Sequence, residues 1–322
     1  MMEKHAGEAE LDISVVLPIY NEAQNLEMFI PELSATLAGL GRSYEIIAVD
    51  DGSKDESIAV LRGLKEQEPR LRIIHFRRNF GQTAAFAAGF DLARGVYVIT
   101  MDADGQNDPA DIGPMLDVMV EGGYDIVSGW RQDRKEPFLS RRLPSMIANR
   151  IIGKSTGVEL HDYGCSLKIY HRDVAKNVNL YGELHRFIPA LASSLGVRVA
   201  EVPVNDRPRR FGSSKYNLSK TIRVILDLVT VSFLLSYMGR PMQLFGLAGL
   251  TSGGIGFALA LYLAIFKIVT GADIGNRPLL SLAILLMILG AQFLVMGLLG
   301  ELQARTYFEV QDKPIYAIRF EE

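Results

Sequence analysis

The sequence predicts a mixed, mostly parallel α/β domain followed by a helical membrane anchor, and three observations carry that reading. Short β-rich runs alternate with helical patterns through the first two-thirds of the chain. Polar clusters stand directly after those runs, where ligands sit in doubly wound sheets. From about Leu244 onward the charges nearly vanish over two stretches long enough to cross a bilayer.

The elements follow in order. DISVVLPIY leads into a helical pattern from about Asn25 to Leu40. YEIIAVDD comes next, and Ser53 with Glu56 three residues later reads as a capping box that opens the second helix. LRIIHFRR precedes GQTAAFAAGFDLARG, whose Ala and Gly positions let a helix lie close on a sheet. VYVITMDAD and YDIVSGWR are separated by a helix after Pro109, with Asp108 as its expected cap. CSLKIY and VRVAEVPV read as later strands that complete a mixed sheet. The β–α rhythm implies right-handed crossovers. Residues 132–160, basic and broken by Pro and Gly, read as a surface segment or mobile loop near the site.

The 322 residues leave room for one large domain or two modules; 48% are hydrophobic, 22% charged, and the net charge is −3. No basic excess marks a nucleic-acid binder. The single Cys165 excludes an intrachain disulfide. The polar start MMEKHAGEAELD has no apolar core of a secretory leader, so no cleavable signal peptide is expected. Residues 244–269 and 278–300 would each span roughly 34–39 Å as helices, enough for a hydrocarbon core of about 30 Å. Arg223, Arg240, Arg305, Lys313 and Arg319 flank the spans on one side, against Arg277 and Lys267 on the other, which favours cytoplasmic termini. The expected layout is a cytoplasmic domain over 1–217, interfacial amphipathic helices over 218–241, a two-helix hairpin over 242–300, and a cytoplasmic tail over 301–322. Gly246, Gly249, Gly253 and Gly256 have the spacing of a close helix contact, within the pair or between subunits, so a homo-oligomer through the spans is one expectation.

TMDADGQNDP, residues 100–109, crowds three aspartates at a strand tip. Such carboxylates repel one another unless a cation, a basic partner or water intervenes. A calcium loop needs Gly at its sixth position and Glu at its twelfth; counting from Asp102, those positions hold Asn107 and Gly113, so that reading fails. The first strand opens PIYNEAQN, without the glycines of a dinucleotide fold, and no Walker sequence is present. Two readings stay open: a solvated turn, or a divalent cation shared with a nucleotide diphosphate. An Asp-x-Asp pair alone is a weak signal, but its place beside two other polar strand tips strengthens the second reading.

VVLPIYNE, VDDGS and MDADGQNDP, in this order and spacing, resemble the inverting family-2 glycosyltransferases with a GT-A fold. HDYGCSLKIYHRDV, ELHRFIPALA and RPRRFGSSKYNLSK, followed by two spans, are similar to the polyprenyl-phosphate branch of that family. The likeness covers roughly residues 12–305. It implies that Pro18, Tyr20 and Glu22 lie along the base and ribose of a sugar nucleotide, with Asp50 and Asp51 nearby. It implies that Asp102, Asp104 and Gln106 hold Mg2+ or Mn2+ and the diphosphate. Arg209, Ser214 and Lys215 match the family's R-x-x-G-x-S-K, expected to grip phosphate on donor or lipid, and a juxtamembrane basic patch is the rival reading. Arg131, with Arg141 or Arg142, would add phosphate contacts. Asp162 would orient acceptor or sugar, or only cap a turn. Gly105 departs from the Leu frequent in relatives, at a position that is not a ligand.

The resemblance implies transfer of one sugar, with glucose from UDP-glucose as the suggested donor, onto polyprenyl phosphate at the membrane, with inversion. The Q-x-x-R-W sequence of processive synthases is absent, the corresponding stretch reading LHRFIP. A processive polysaccharide synthase and a non-catalytic, membrane-anchored sugar-nucleotide scaffold are the rivals.

Overall fold

The computed structural model describes residues 11–132, 153, 157–178, 180, 184–193, 196–208 and 241–310. The chain divides into two compact units, Met1–Val231 and Ser232–Glu322.

The first unit is built on a seven-stranded sheet in the order β3-β2-β1-β4-β6-β5-β7. Its strands are β1 (Leu11–Ile19), β2 (Tyr44–Asp50), β3 (Leu71–His75), β4 (Gly95–Thr100), β5 (Ile126–Trp130), β6 (Lys168–His171) and β7 (Val199–Pro203). All neighbours pair in parallel except β6, which runs antiparallel to both β4 and β5. The helices α1 (Ala23–Gly39), α2 (Ser57–Gln67), α3 (Gln82–Leu92) and α4 (Ile112–Gly122) connect the parallel strands, and the short α5 (Arg172–Asn177) and α6 (Ile188–Ala192) follow. The expected mixed, mostly parallel sheet is therefore present. Its strands are near-continuous apolar runs because helices cover both faces. Leu26, Ile30, Leu33 and Met115 pack on one face, and Phe86, Phe90 and Val174 on the other.

α3 lies close on the sheet, as its small residues predict. A Cβ at Gly89 would stand 2.1 Å from Val16 Cγ1, so any larger residue forces the helix off β1. Strand order reverses between β1 and β4, and β1 runs on past their last paired residues, Val16 and Thr100. Pro18, which cannot donate to a ladder, sits in that overhang. The overhang opens a crevice at the carboxyl ends of β1 and β4, where such sheets take ligands.

The capping-box expectation needs correction. α2 begins at Ser57, and no side chain caps it. The Ser53 hydroxyl is engaged elsewhere, donating to Asp50 and accepting from Asn21 N at 2.9 Å. The Asp108 cap is present: its carboxylate accepts from Ala110 N at 3.0 Å, with Pro109 opening the turn.

The second unit is a hairpin of α7 (Pro241–Thr270) and α8 (Pro278–Val310). Both helices are long and apolar enough to cross a membrane. Their outer faces carry Leu247, Leu250 and Ile268, each at least two-thirds exposed, which suits lipid and not water. The glycine stripe works inside the pair. A Cβ at Gly256 would meet Ala283 O at 2.7 Å, and one at Gly290 would meet Gly253 Cα at 2.7 Å. The expected interfacial segment lies almost wholly outside the described residues.

Candidate active site

The crevice is assembled by loops stitched to one another. Asn21, at φ 57°, takes a left-handed conformation that asparagine tolerates, and its carbonyl oxygen accepts from Lys54 N at 2.7 Å. Glu22 N donates to Ser57 Oγ at 2.9 Å. These bonds lock the turn after β1 onto the turn after β2. Tyr20 stands 41% exposed above them, available to a planar ring. Asp50 is fully buried and accepts from Ser53 and from the ring of His75 at 2.6 Å. Asp51 accepts from Phe80 N at 2.6 Å and Gly81 N at 2.9 Å, which pins the loop entering α3.

The second tip is different. Ala103 turns into the core, leaving Asp102 and Asp104 on either side of it at the end of β4. Gln82 Nε2 donates to Asp102 Oδ1 at 2.6 Å. Gln106 N donates to Asp104 Oδ1 at 3.1 Å. Burial, and then the charge of Asp104, push the Asp102 carboxyl above the usual carboxylate range. A divalent cation between them would remove that repulsion. Among the described residues no three His, Cys, Asp or Glu side chains cluster, so the protein supplies two carboxylates and leaves other positions to phosphate oxygens and water. Mg2+ and Mn2+ accept that oxygen-only set, and the residues fit such an ion.

Residues 205–208 are fastened to this loop. Asn107 bridges to Asp206, Arg207 N donates to Gln106 O at 2.9 Å, and the Arg207 guanidinium pairs with Glu32 and Asp108 at 2.7 and 2.6 Å. Gln106 thus has both backbone groups engaged, while its side chain carries the expected metal role untested. Arg209, Ser214, Lys215, Arg141 and Arg142 lie outside the described residues.

Arg131 and Asp162 find each other. Arg131 Nε donates to Asp162 Oδ2 at 2.9 Å and Nη2 to Oδ1 at 3.4 Å. Burial works against the guanidinium, but the Asp162 carboxylate outweighs it and holds the arginine charged. Asp162 also accepts from Gly164 N at 3.0 Å, so it caps its turn as well as fixing Arg131. Cys165 is buried, with burial raising its thiol, as a packing residue would be.

A cleft continues past Asp102 between β4, β6 and the 3-10 turn Leu184–Phe187. Lys168, which the sequence reading left within an apolar strand, lines it. Its ammonium donates to Tyr163 O at 3.2 Å and to Cys165 O, and burial pulls its pKa down. His185 bonds Thr83 Oγ1 at 2.8 Å; burial, then the charges of Arg186 and Lys168, hold it neutral with a pKa of about 3. Arg186 lines the cleft as an exposed residue.

The model of glycosyl transferase family 2 matches residues 14–178, which contain both strand tips and β6. The chain belongs to that family. The dodecaprenyl-phosphate galacturonate synthase of Rhizobium johnstonii is 43% identical, over 96% of this chain and 92% of that protein. The undecaprenyl-phosphate 4-deoxy-4-formamido-L-arabinose transferase of Edwardsiella ictaluri is 38% identical, over 95% and 93%. Among solved structures, the first unit is similar to glucosyl-3-phosphoglycerate synthase from Mycobacterium tuberculosis in complex with Mn2+ and uridine-diphosphate-glucose. That match has a TM-score of 0.52 and 17% identity, over 69% of this chain and 79% of the other. This likeness establishes the GT-A fold for a family-2 glycosyltransferase that carries two candidate membrane spans. The curated relatives matching nearly its whole length are named as polyprenyl-phosphate sugar enzymes.

Proposed function

We propose that this glycosyltransferase moves a single sugar from a nucleotide diphosphate donor to polyprenyl phosphate, inverting the anomeric centre, with its catalytic unit and both termini in the cytoplasm. The observation that carries this reading is the pair Asp102 and Asp104 at the switch-point crevice, in a chain whose long apolar hairpin suits a lipid-linked substrate. Pro18, Tyr20, Glu22, Asp50 and Asp51 line the nucleotide side of the crevice.

Asp102 and Asp104, with the neutral Gln106, would hold Mg2+ or Mn2+, which supplies charge stabilisation to the departing diphosphate. The acceptor oxygen belongs to a phosphate monoester that is ionised near neutral pH, so no strong general base is required. This agrees with the site, where His185 is neutral and bonded to Thr83. Asp162 holds Arg131 in one orientation for an anion. Arg209, Ser214 and Lys215 follow directly after the strip fastened to the Asp102–Gln106 loop. Two residues of chain reach at most about 7.6 Å, so Arg209 cannot be far from Arg207. That supports a phosphate role for the basic cluster.

The donor sugar is the finer question. The sequence suggested UDP-glucose, whereas the two relatives carry galacturonate and formamido-arabinose in their names. The test offers labelled UDP-glucose, UDP-galactose and UDP-galacturonic acid with polyprenyl phosphate and each metal, followed by lipid extraction. One labelled sugar per lipid is expected. Donor binding with no label in the organic phase would favour a scaffold, and a growing polymer a processive synthase.

A further inference from the structure

The cleft beyond Asp102 holds two cations that the transfer chemistry leaves without a task. Arg186 has no hydrogen bond or ion pair among the described residues. Lys168 has three N–H donors, of which the carbonyls of Tyr163 and Cys165 take two. His185 is neutral and adds no charge. Once a divalent ion matches Asp102 and Asp104, the charge remaining on the cleft wall is that of Lys168 and Arg186. The neutral lining groups, among them Gln82, Thr100 and Ser166, are the hydrogen-bonding kind that suits hydroxyls.

A pocket for a neutral hexose has no use for two such cations, and desolvating them without a partner is costly. A carboxylate fits both: the planar guanidinium binds it in two-pronged fashion, and the ammonium adds a point charge. We propose that Arg186, backed by Lys168, reads a carboxylate on the sugar of the donor, so that the chain takes a uronic acid in preference to a neutral hexose. This rests on the sugar-nucleotide reading of the crevice. The same two cations suit any oxyanion, the donor's own diphosphate included, and the experiment separates these sources.

The measurement is binding by calorimetry, in the presence of Mn2+, of UDP-galacturonic acid, UDP-galactose and UDP to the detergent-solubilised full chain. Wild type should bind the acid more tightly than the neutral sugar. Arg186→Ala should weaken the acid roughly 10- to 100-fold, the worth of a charged hydrogen-bonded pair, and shift UDP-galactose and UDP by no more than about threefold. Arg186→Lys should recover part of the loss. Because Arg186 is an exposed residue with no partner to lose, its replacement leaves the fold intact, checked by an unchanged melting temperature. Equal loss on all three ligands overturns the proposal and assigns Arg186 to the diphosphate. Equal wild-type affinity for acid and neutral sugar also overturns it. If none of the three binds, the sugar-nucleotide reading itself falls, and this proposal with it.

Discussion

At the end of β2, Asp50 and Asp51 direct their oxygens at the protein itself, to Ser53, His75 and the backbone of Phe80 and Gly81. At the end of β4, Asp102 faces a cleft, receives Gln82, and is pushed up by burial and by the charge of Asp104. The residue type and the position in the fold are the same, yet the electrostatics differ. The first pair ties loops together and builds the crevice wall. The second keeps a mutual repulsion that folding leaves for a cation to relieve. A carboxylate pair at a strand tip is therefore read by what already satisfies it.

The largest expected effect is on the second tip. Asp104→Asn keeps the shape, removes a metal ligand, and relieves the repulsion on Asp102. Transfer to lipid should fall at least about a hundredfold while the melting temperature holds or rises. A variant that melts early would move this pair into the structural class. At the first tip the signs exchange. Gly52 has φ 67°, and a Cβ there would stand 2.5 Å from the Arg78 carbonyl carbon. Gly52→Ala should cost about 2 kcal/mol or more, seen as a lowered melting temperature. Asp51→Ala strips the loop before α3 of its acceptor and should cost about 1–3 kcal/mol by the same measurement. Full stability in either variant would remove the distinction between the tips.

The smallest effect concerns pH. The folded pKa of His185, about 3, lies below the ordinary value of 6.5, so the unfolded chain binds its proton first. The stability tied to neutral His185 is whole above about pH 6.5 and drains as the pH falls towards 3. His185→Gln, compared with wild type by thermal melts from pH 7 to pH 4, should show the shallower decline. Parallel curves would place the histidine in water.

Much of this was legible locally. Each strand run, the Asp108 cap and both spans are periodicity or capping signals that a sequence displays directly, and the Asp-x-Asp pair stood out by its place after a buried run. What escaped was long-range. Lys168 and Arg186 are far apart from Asp102 in sequence, and only the antiparallel pairing of β4 with β6 and the turn at Leu184–Phe187 bring them to one cleft. The available signal was a lysine inside an otherwise apolar strand, CSLKIY, where a charge needs a reason. The capping box failed for the opposite cause: Ser53 had the right spacing, but Asp50 and Asn21 competed for its hydroxyl.

The central claim is that Asp102 and Asp104 support transfer of one sugar to a lipid phosphate. Its most direct test is mass spectrometry of the organic extract after the full chain, polyprenyl phosphate, a divalent metal and UDP-sugars have been incubated together, beside Asp104→Asn and a chelator control. The account predicts a lipid heavier by a single sugar, lost in both controls. A product that persists with Asp104→Asn, or one that grows by repeated sugars, would contradict it.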